Sequence, residues 1–495
     1  MGTNQARLAS SNTSTTFDVQ LFIGGRWEKA VSGRTFDSFN PATGEKLATI
    51  QEAAPEDVDR AVRAARRAFA EGPWPRMAVA ERSRILNRIA EIILQRKEEL
   101  ARLETLDTGK SIRESLEVDI PRAAHNFQFF ADFIKHSASE CFPLDDRALS
   151  YVVRQPVGVA ALITPWNLPL YLTTWKVAPC LAAGNTCVVK PAELTPLTAA
   201  RLAEIGQEAG LPPGVLNVIQ GFGPEAAGEA LTRHPDVNLI SFTGETTTGR
   251  AIMAAAAPTL KRLSFELGGK GAAILFADAN LDEALPIAQR AAFQNQGEVC
   301  LAGSRLLVER SIFDEVLERM TAAAKNIRLG DPLDPATEMG SLISEEHWQK
   351  VSGYVELARR EGAQILCGGG RPPHLARGNF FLPTVIAGLQ PNSRVCREEI
   401  FGPVVTVLPF RTDEEAVAIA NDTPYGLSAV VCTSNLQRAH HVAGQLECGT
   451  VWINCWLLRD LRAPFGGFKN SGMGREGGQY SLDFFTEAKT VCVKL

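Results

Sequence analysis

From residue 157 the chain settles into a repeat that leaves few folds open. Short apolar runs, VGVAALI (157–163), TCVVK (186–190), VLNVI (215–219) and VNLISF (237–242), begin 29, 29 and 22 residues apart with helical segments between them. That is about the length of a strand-helix-strand unit. Neighbouring parallel strands need a crossover of roughly a dozen residues or more. The runs therefore predict a parallel sheet covered by helices on both faces, with ligands at the carboxyl ends of its strands. Thr195 and Pro196 form an N-cap and first-turn pair for one crossover helix, and Gly210 followed by Pro212 stops it.

A second alternation includes AAILF (272–276), RLLVE (305–309), FGPVVTVLPF (401–410) and GTVWIN (449–454), interleaved with helical segments such as 312–325 and 413–420, and predicts a second α/β unit. Upstream, VQLFIGGRW (19–27) is extended around a Gly24-Gly25 turn, and apolar residues between 81 and 105 follow helical spacing. The last segment, KTVCVKL (489–495), alternates as a strand with no following partner and is expected to pair with another subunit.

At 495 residues and a formal net charge of −5, the chain has no excess of basic groups to draw it onto nucleic acid or an acidic membrane. Residues 1–16 are polar and rich in Ser and Thr, an expected disordered tail rather than a secretory signal or a membrane span. Ten cysteines without a CxxC pair read as reduced thiols, and seven histidines without ligand spacing give no reason to expect a metal. A cytoplasmic enzyme is the expectation.

Three signatures match by accident. GMGREG (472–477) fits GxGxxG but follows a polar KNS stretch instead of a strand. GKS at 109–111 lacks the leading glycine of a phosphate loop, and GETTTGR (244–250) lacks its Lys-Ser/Thr. FTGETTTG (242–249) does follow an apolar run and opens a helical segment, so its free backbone N–H groups suit either a phosphate or a plain strand-to-helix turn. KPAE (190–193) ends a strand and offers a lysine and a carboxylate suited to ribose hydroxyls. TPWN (164–167), FELGG (265–269) and GEVC (297–300) together supply a carboxamide, a carboxylate and a thiol. An amide for a developing oxyanion, a base for water and a nucleophile make a complete acyl-transfer set.

Taken in order with EEIFGPV (398–404) and PFGGFKNSGMGREGG (464–478), these motifs resemble the aldehyde dehydrogenase superfamily over nearly the whole chain. The resemblance implies an α/β fold with a Rossmann-like NAD-binding domain (17–133 and 157–268), a catalytic α/β domain (269–477) and a small β oligomerisation arm (134–156 and 478–495) joining subunits into homodimers or homotetramers. It recasts GMGREGG as a structural loop. It also implies Cys300 as nucleophile, Glu266 as general base, and Asn167 with the Cys300 N–H as oxyanion hole. NAD would lie along Ile163, Thr164, Pro165, Trp166, Lys190, Glu193, Gly223, Phe242, Gly244, Glu245, Leu267, Glu399 and Phe401. Glu245 stands where many members carry serine, so its carboxylate is expected to point away.

Within the superfamily, CWLLRDLRAPFGGF (455–468) and SLDFFTEAKTVCVKL (481–495) resemble the 2-hydroxymuconate and 2-aminomuconate semialdehyde dehydrogenases, and FTGETTTGRAIM (242–253) is also similar to the enzyme acting on the 5-carboxymethyl-2-hydroxymuconate semialdehyde. The three stay unseparated at this stage. A substrate with a remote carboxylate implies a cationic reader, with Arg462 first, Arg459 held by Asp460, Arg122 facing them and Phe465 beside them. A CoA-acylating relative generally lacks the glutamate base, and a non-catalytic crystallin-type relative tends to lose the nucleophile. Glu266 and Cys300 argue against both.

Overall fold

In the computed structural model, which describes residues 17–495, the apolar runs become strands because both faces of each are covered. The strands Val159–Ile163, Thr186–Lys190 and Leu239–Thr243 are buried at every position, the pattern of a parallel sheet sandwiched by helices. They belong to an eight-stranded sheet whose order is Gly472–Met473, Arg262–Glu266, Leu239–Thr243, Val159–Ile163, Thr186–Lys190, Leu216–Val218, Leu21–Ile23 and Arg26–Glu28. The five central strands run parallel, and the hairpin around Gly24-Gly25 closes one edge. The expected tail, 1–16, lies outside the described residues.

The helical stretch near 81–105 is two helices, Val79–Gln95 and Lys97–Thr108, broken at Arg96. Ile85, Leu86, Ile89 and Leu100 are buried in one core with Phe127 and Phe130 of the helix Ile120–Phe133. The crossover helix Leu197–Glu208 begins one residue later than Thr195-Pro196 implies, and Thr195 does not cap it. The Leu197 N–H donates to the buried Asp107 carboxylate at 3.1 Å instead. A carboxylate 90 residues upstream has displaced the local cap.

The second sheet has seven strands, ordered Gln364–Cys367, Thr384–Ala387, Val404–Phe410, Arg305–Glu309, Ala272–Leu275, Ser428–Cys432 and Thr450–Ile453, parallel except at the first edge. A third sheet is antiparallel, and the terminal segment is one of its edge strands. The terminal strand Thr486–Lys494 pairs with Ala148–Pro156 of its own chain, from Thr486 opposite Pro156 to Lys494 opposite Ala148, and Cys141–Leu144 completes the sheet. The partner lies 330 to 346 residues earlier, out of reach of any local pattern. The helix Gly478–Phe485 buries Leu482 and Phe485 in the first core, so the arm's sheet starts at Thr486.

Candidate active site

Register sets the frame of the site. Ile163 pairs with Lys190 and with Phe242, and Thr243 pairs with Glu266, so these residues stand side by side at the carboxyl ends of four adjacent parallel strands. Such a rim is where open α/β sheets bind ligands. Lys190 is buried, its ammonium donating to the Pro191 carbonyl at 3.0 Å and lying 3.6 Å from Glu193, whose side chain is 39% exposed. Burial pulls the Lys190 ammonium below the usual lysine range, with Glu193 opposing. A Cβ on Gly223 would meet nothing, whereas one on Gly244 would lie 2.5 Å from the Phe242 ring. Glu245 is exposed and pairs with Lys350 at 3.3 Å, close enough for its charge to raise the Glu399 pKa.

Phe401 has φ +60°, and its carbonyl accepts from His347 Nε2 at 2.6 Å. Both rings stand edge-on to Trp166, each at 5.2 Å. Burial pulls His347 down to about 4, which leaves it neutral near pH 7. Glu399 accepts the Gly269 N–H at 2.7 Å, and burial pushes its carboxyl up to about 7. The paired glycines are needed sterically. A Cβ on Gly268 would fall 2.3 Å from Glu399 Oε2, and one on Gly269 would fall 2.1 Å from the Cys300 carbonyl. Leu267 is buried against Gly249, where a Cβ would meet its side chain at 2.9 Å.

Cys300 follows three consecutive left-handed residues, Asn295 (φ +51°), Gln296 (φ +56°) and Gly297 (φ +70°). Such backbone at two non-glycine positions persists only where its surroundings hold it. Asn167 Nδ2 donates to the Glu298 carbonyl at 2.8 Å, which uses one amide hydrogen and fixes the direction of the other. Burial pushes the Cys300 thiol up to about 12, with Glu266 and Glu399 adding to the rise and Arg459 opposing it. Glu266 is buried, and among the described residues neither of its carboxyl oxygens has a hydrogen-bond partner. Its carboxyl is held well above the usual range by burial and then by Glu476, while Lys176 and Arg459 oppose.

Glu476 lies in the GMGREGG loop and was not among the expected site residues. Its carboxylate accepts from Trp175 Nε1 at 2.6 Å, from Lys176 Nζ at 2.9 Å and from Ser241 Oγ at 3.3 Å. Within the motif no local signal separates Glu476 from a surface residue, because its partners come from two other elements.

The arginines are arranged in the reverse of the expected order. Asp460 holds Arg462, not Arg459, and the Arg462 side chain is 74% exposed. The Arg459 guanidinium lies 3.9 Å over the Phe465 ring and 5.2 Å from that of Trp175. Arg122 lies 5.6 Å over the Tyr171 ring, and among the described residues its buried Nε and Nη2 have no hydrogen-bond partner. Burial lowers the Arg122 pKa, Tyr171 opposes, and the nearby charge of Arg459 lowers it further. The two cations therefore lie close enough for the charge of one to act on the other. No helix among the described residues is long and apolar enough to cross a membrane.

A thiol, an oriented carboxamide and a buried carboxyl thus stand near the carboxyl ends of a parallel sheet. Consistently, the aldehyde dehydrogenase family profile matches residues 27–491, and the chain belongs to that family. It is 52% identical over 485 residues to the 2-hydroxymuconic semialdehyde dehydrogenase of Pseudomonas sp. (strain CF600), covering 97% of this chain and all of that one. It is 50% identical over 482 residues to the 2-aminomuconic semialdehyde dehydrogenase of Bos taurus, covering 96% of this chain and 98% of that one. The NAD+ complex of an aldehyde dehydrogenase from Bacillus cereus matches with a TM-score of 0.94 at 43% identity, covering 97% of each chain.

Proposed function

We propose that the chain oxidises a carboxylated semialdehyde of the 2-hydroxymuconate or 2-aminomuconate type to the dicarboxylic acid, with NAD as oxidant. The observation that carries the substrate class is the pair Arg122 and Arg459, two guanidinium groups stacked on aromatic rings with no carboxylate partner among the described residues. A buried donor without a partner is costly unless a ligand completes it. A substrate carboxylate remote from the aldehyde fits a guanidinium fork bidentately. The 2-hydroxymuconic and 2-aminomuconic semialdehyde dehydrogenases named above support the same class.

The rim residues fit a dinucleotide. Lys190 and Glu193 suit ribose hydroxyls, Gly223 leaves its backbone open to pyrophosphate, and Glu399 and Phe401 suit the second ribose and ring. The cofactor supplies the hydride acceptor. The chain's own groups do the rest. Cys300 Sγ, its proton released to solvent, bonds as the thiolate to the aldehyde carbon, and the resulting alkoxide is held by Asn167 Nδ2 and the Cys300 N–H. Loss of hydride leaves a thioester on Cys300. Glu266 then takes a proton from water, the hydroxyl adds to the acyl carbon, and the acid departs as Sγ is released. The raised pKa of Glu266 makes it a stronger base than an ordinary carboxylate.

In the same reading, 17–133 and 157–268 carry the cofactor, 269–477 the nucleophile, and the arm mediates assembly into dimers or tetramers. The exposed Phe142, Leu144 and Val493 on the arm support the last assignment. Ten free thiols support a cytoplasmic setting. The deciding experiment compares kcat/KM for semialdehydes of equal length bearing zero, one or two carboxylates. The charged substrates are expected to lead, and a neutral aldehyde at parity would overturn the substrate class.

A further inference from the structure

Asn167 lies in an irregular segment, between the strand Val159–Ile163 and the helix Pro169–Ala182, where no sheet ladder fixes its backbone. The hydrogen bonds of such a segment must end somewhere. The Asn167 carbonyl accepts from Lys110 Nζ at 2.8 Å and from Asn295 Nδ2 at 3.3 Å. Lys110 is a buried cation with a side chain 1% exposed, and its ammonium also meets Asp119, 2% exposed, at 2.6 Å. Asp119 is brought there by a π-helical turn over Ser115–Asp119, a rare element.

The neighbours of this pair reach the other half of the site. Glu114 Oε1 accepts the N–H of left-handed Asn295 at 3.0 Å, and Glu298 Oε1 accepts the Ile343 N–H at 3.1 Å. Ser341, two residues before Ile343, donates its N–H to the carbonyl of Gly109, next to Lys110, at 3.0 Å. The turn carrying Lys110, the segment 341–343 and the loop leading to Cys300 are thus tied together behind the oxyanion site. A charged hydrogen bond in this dry setting is stronger and more directional than a neutral one.

We infer that Lys110, oriented by Asp119, is a positioning residue for the oxyanion amide: it holds the Asn167 backbone through the carbonyl and so aims Nδ2. This rests on the assignment of Asn167 to the oxyanion in the proposed function. Lys110 touches neither substrate nor cofactor in that reading and acts only through Asn167.

The test is a double-mutant cycle of Lys110→Met and Asn167→Ala, read by the pre-steady-state burst of reduced nicotinamide, with NAD Kd and melting temperature measured alongside. Lys110→Met is expected to slow the burst by about 10- to 100-fold, the range for misplacing a group from a distance, while NAD Kd stays near wild type. In the Asn167→Ala background the same change is expected to cost almost nothing further. Multiplying losses in the double variant, or a wild-type burst in Lys110→Met, would overturn the inference alone. A wild-type burst in Asn167→Ala would overturn the oxyanion assignment and this inference with it. Should Lys110→Met not fold, Asp119→Asn takes its place in the cycle with the same two readings.

Discussion

Asp460 closes on Arg462, taking its Nε at 3.0 Å and its Nη2 at 2.6 Å on the two carboxylate oxygens, and the Arg462 backbone N–H at 2.9 Å. That exposed pair leaves Arg459 free to lie on Phe465, close enough for its charge to lower the Cys300 pKa. Arg459→Ala is expected to raise KM for a carboxylated semialdehyde by about 1.5–3 kcal/mol, the range for a hydrogen bond to a charged group. Arg462→Ala is expected to change it by less than about 0.5 kcal/mol, as for most surface positions. A neutral aldehyde of equal length is the control. Equal losses on both substrates in Arg459→Ala would assign this arginine to the electrostatics of Cys300 rather than to the substrate carboxylate.

Glu266→Gln is expected to release one equivalent of reduced nicotinamide in a burst and then to stall, because the thioester forms but its hydrolysis loses the base. The slow phase should fall roughly 10²- to 10⁴-fold below wild-type turnover. Rapid mixing separates the two phases, and wild-type steady-state turnover would remove Glu266 from the base role.

The Cys300 thiol, pushed up to about 12, is protonated across the neutral range in the cofactor-free enzyme. Only the thiolate alkylates, so iodoacetamide labelling of the Cys300 peptide should rise roughly tenfold per pH unit between about 7 and 10 without a plateau. The sign of each neighbour follows from its charge. Glu266→Gln removes a negative neighbour and should speed labelling at high pH, whereas Arg459→Ala removes a positive one and should slow it. A plateau below about pH 9 contradicts the burial argument.

Glu193 is expected to select NAD over NADP, since a carboxylate that accepts from ribose hydroxyls repels a 2′-phosphate. Glu193→Gln should raise the NADP/NAD ratio of kcat/KM by about tenfold, equivalent to about 1.4 kcal/mol of relieved repulsion. Equal preference in the unaltered enzyme would show that the cleft accommodates the phosphate and that Glu193 does not discriminate.

Much of the frame was legible in the residues. The run TCVVK is the strand Thr186–Lys190, RLLVE is Arg305–Glu309, and the helix expected over 312–325 is Phe313–Lys325, because burial on both sheet faces and helical periodicity leave local marks. The motifs supplied the thiol, carboxamide and carboxylate. What the residues did not reveal were choices between equivalents. Asp460 had two arginines within two residues and took Arg462, and Leu197 took its cap from Asp107 rather than from Thr195.

By itself the sequence determined the two α/β units, the positions of several of their strands and the chemical kit of the site, since each depends on side-chain type and short-range spacing. Tertiary structure alone decided that Thr486–Lys494 pairs with Ala148–Pro156, that Glu476 reaches Trp175 and Lys176, and that Lys110 braces Asn167. These contacts join residues from 57 to more than 330 positions apart. A contact of that kind costs loop-closure entropy and is fixed only when the packed elements bring its partners together, so it leaves no periodic trace in either segment.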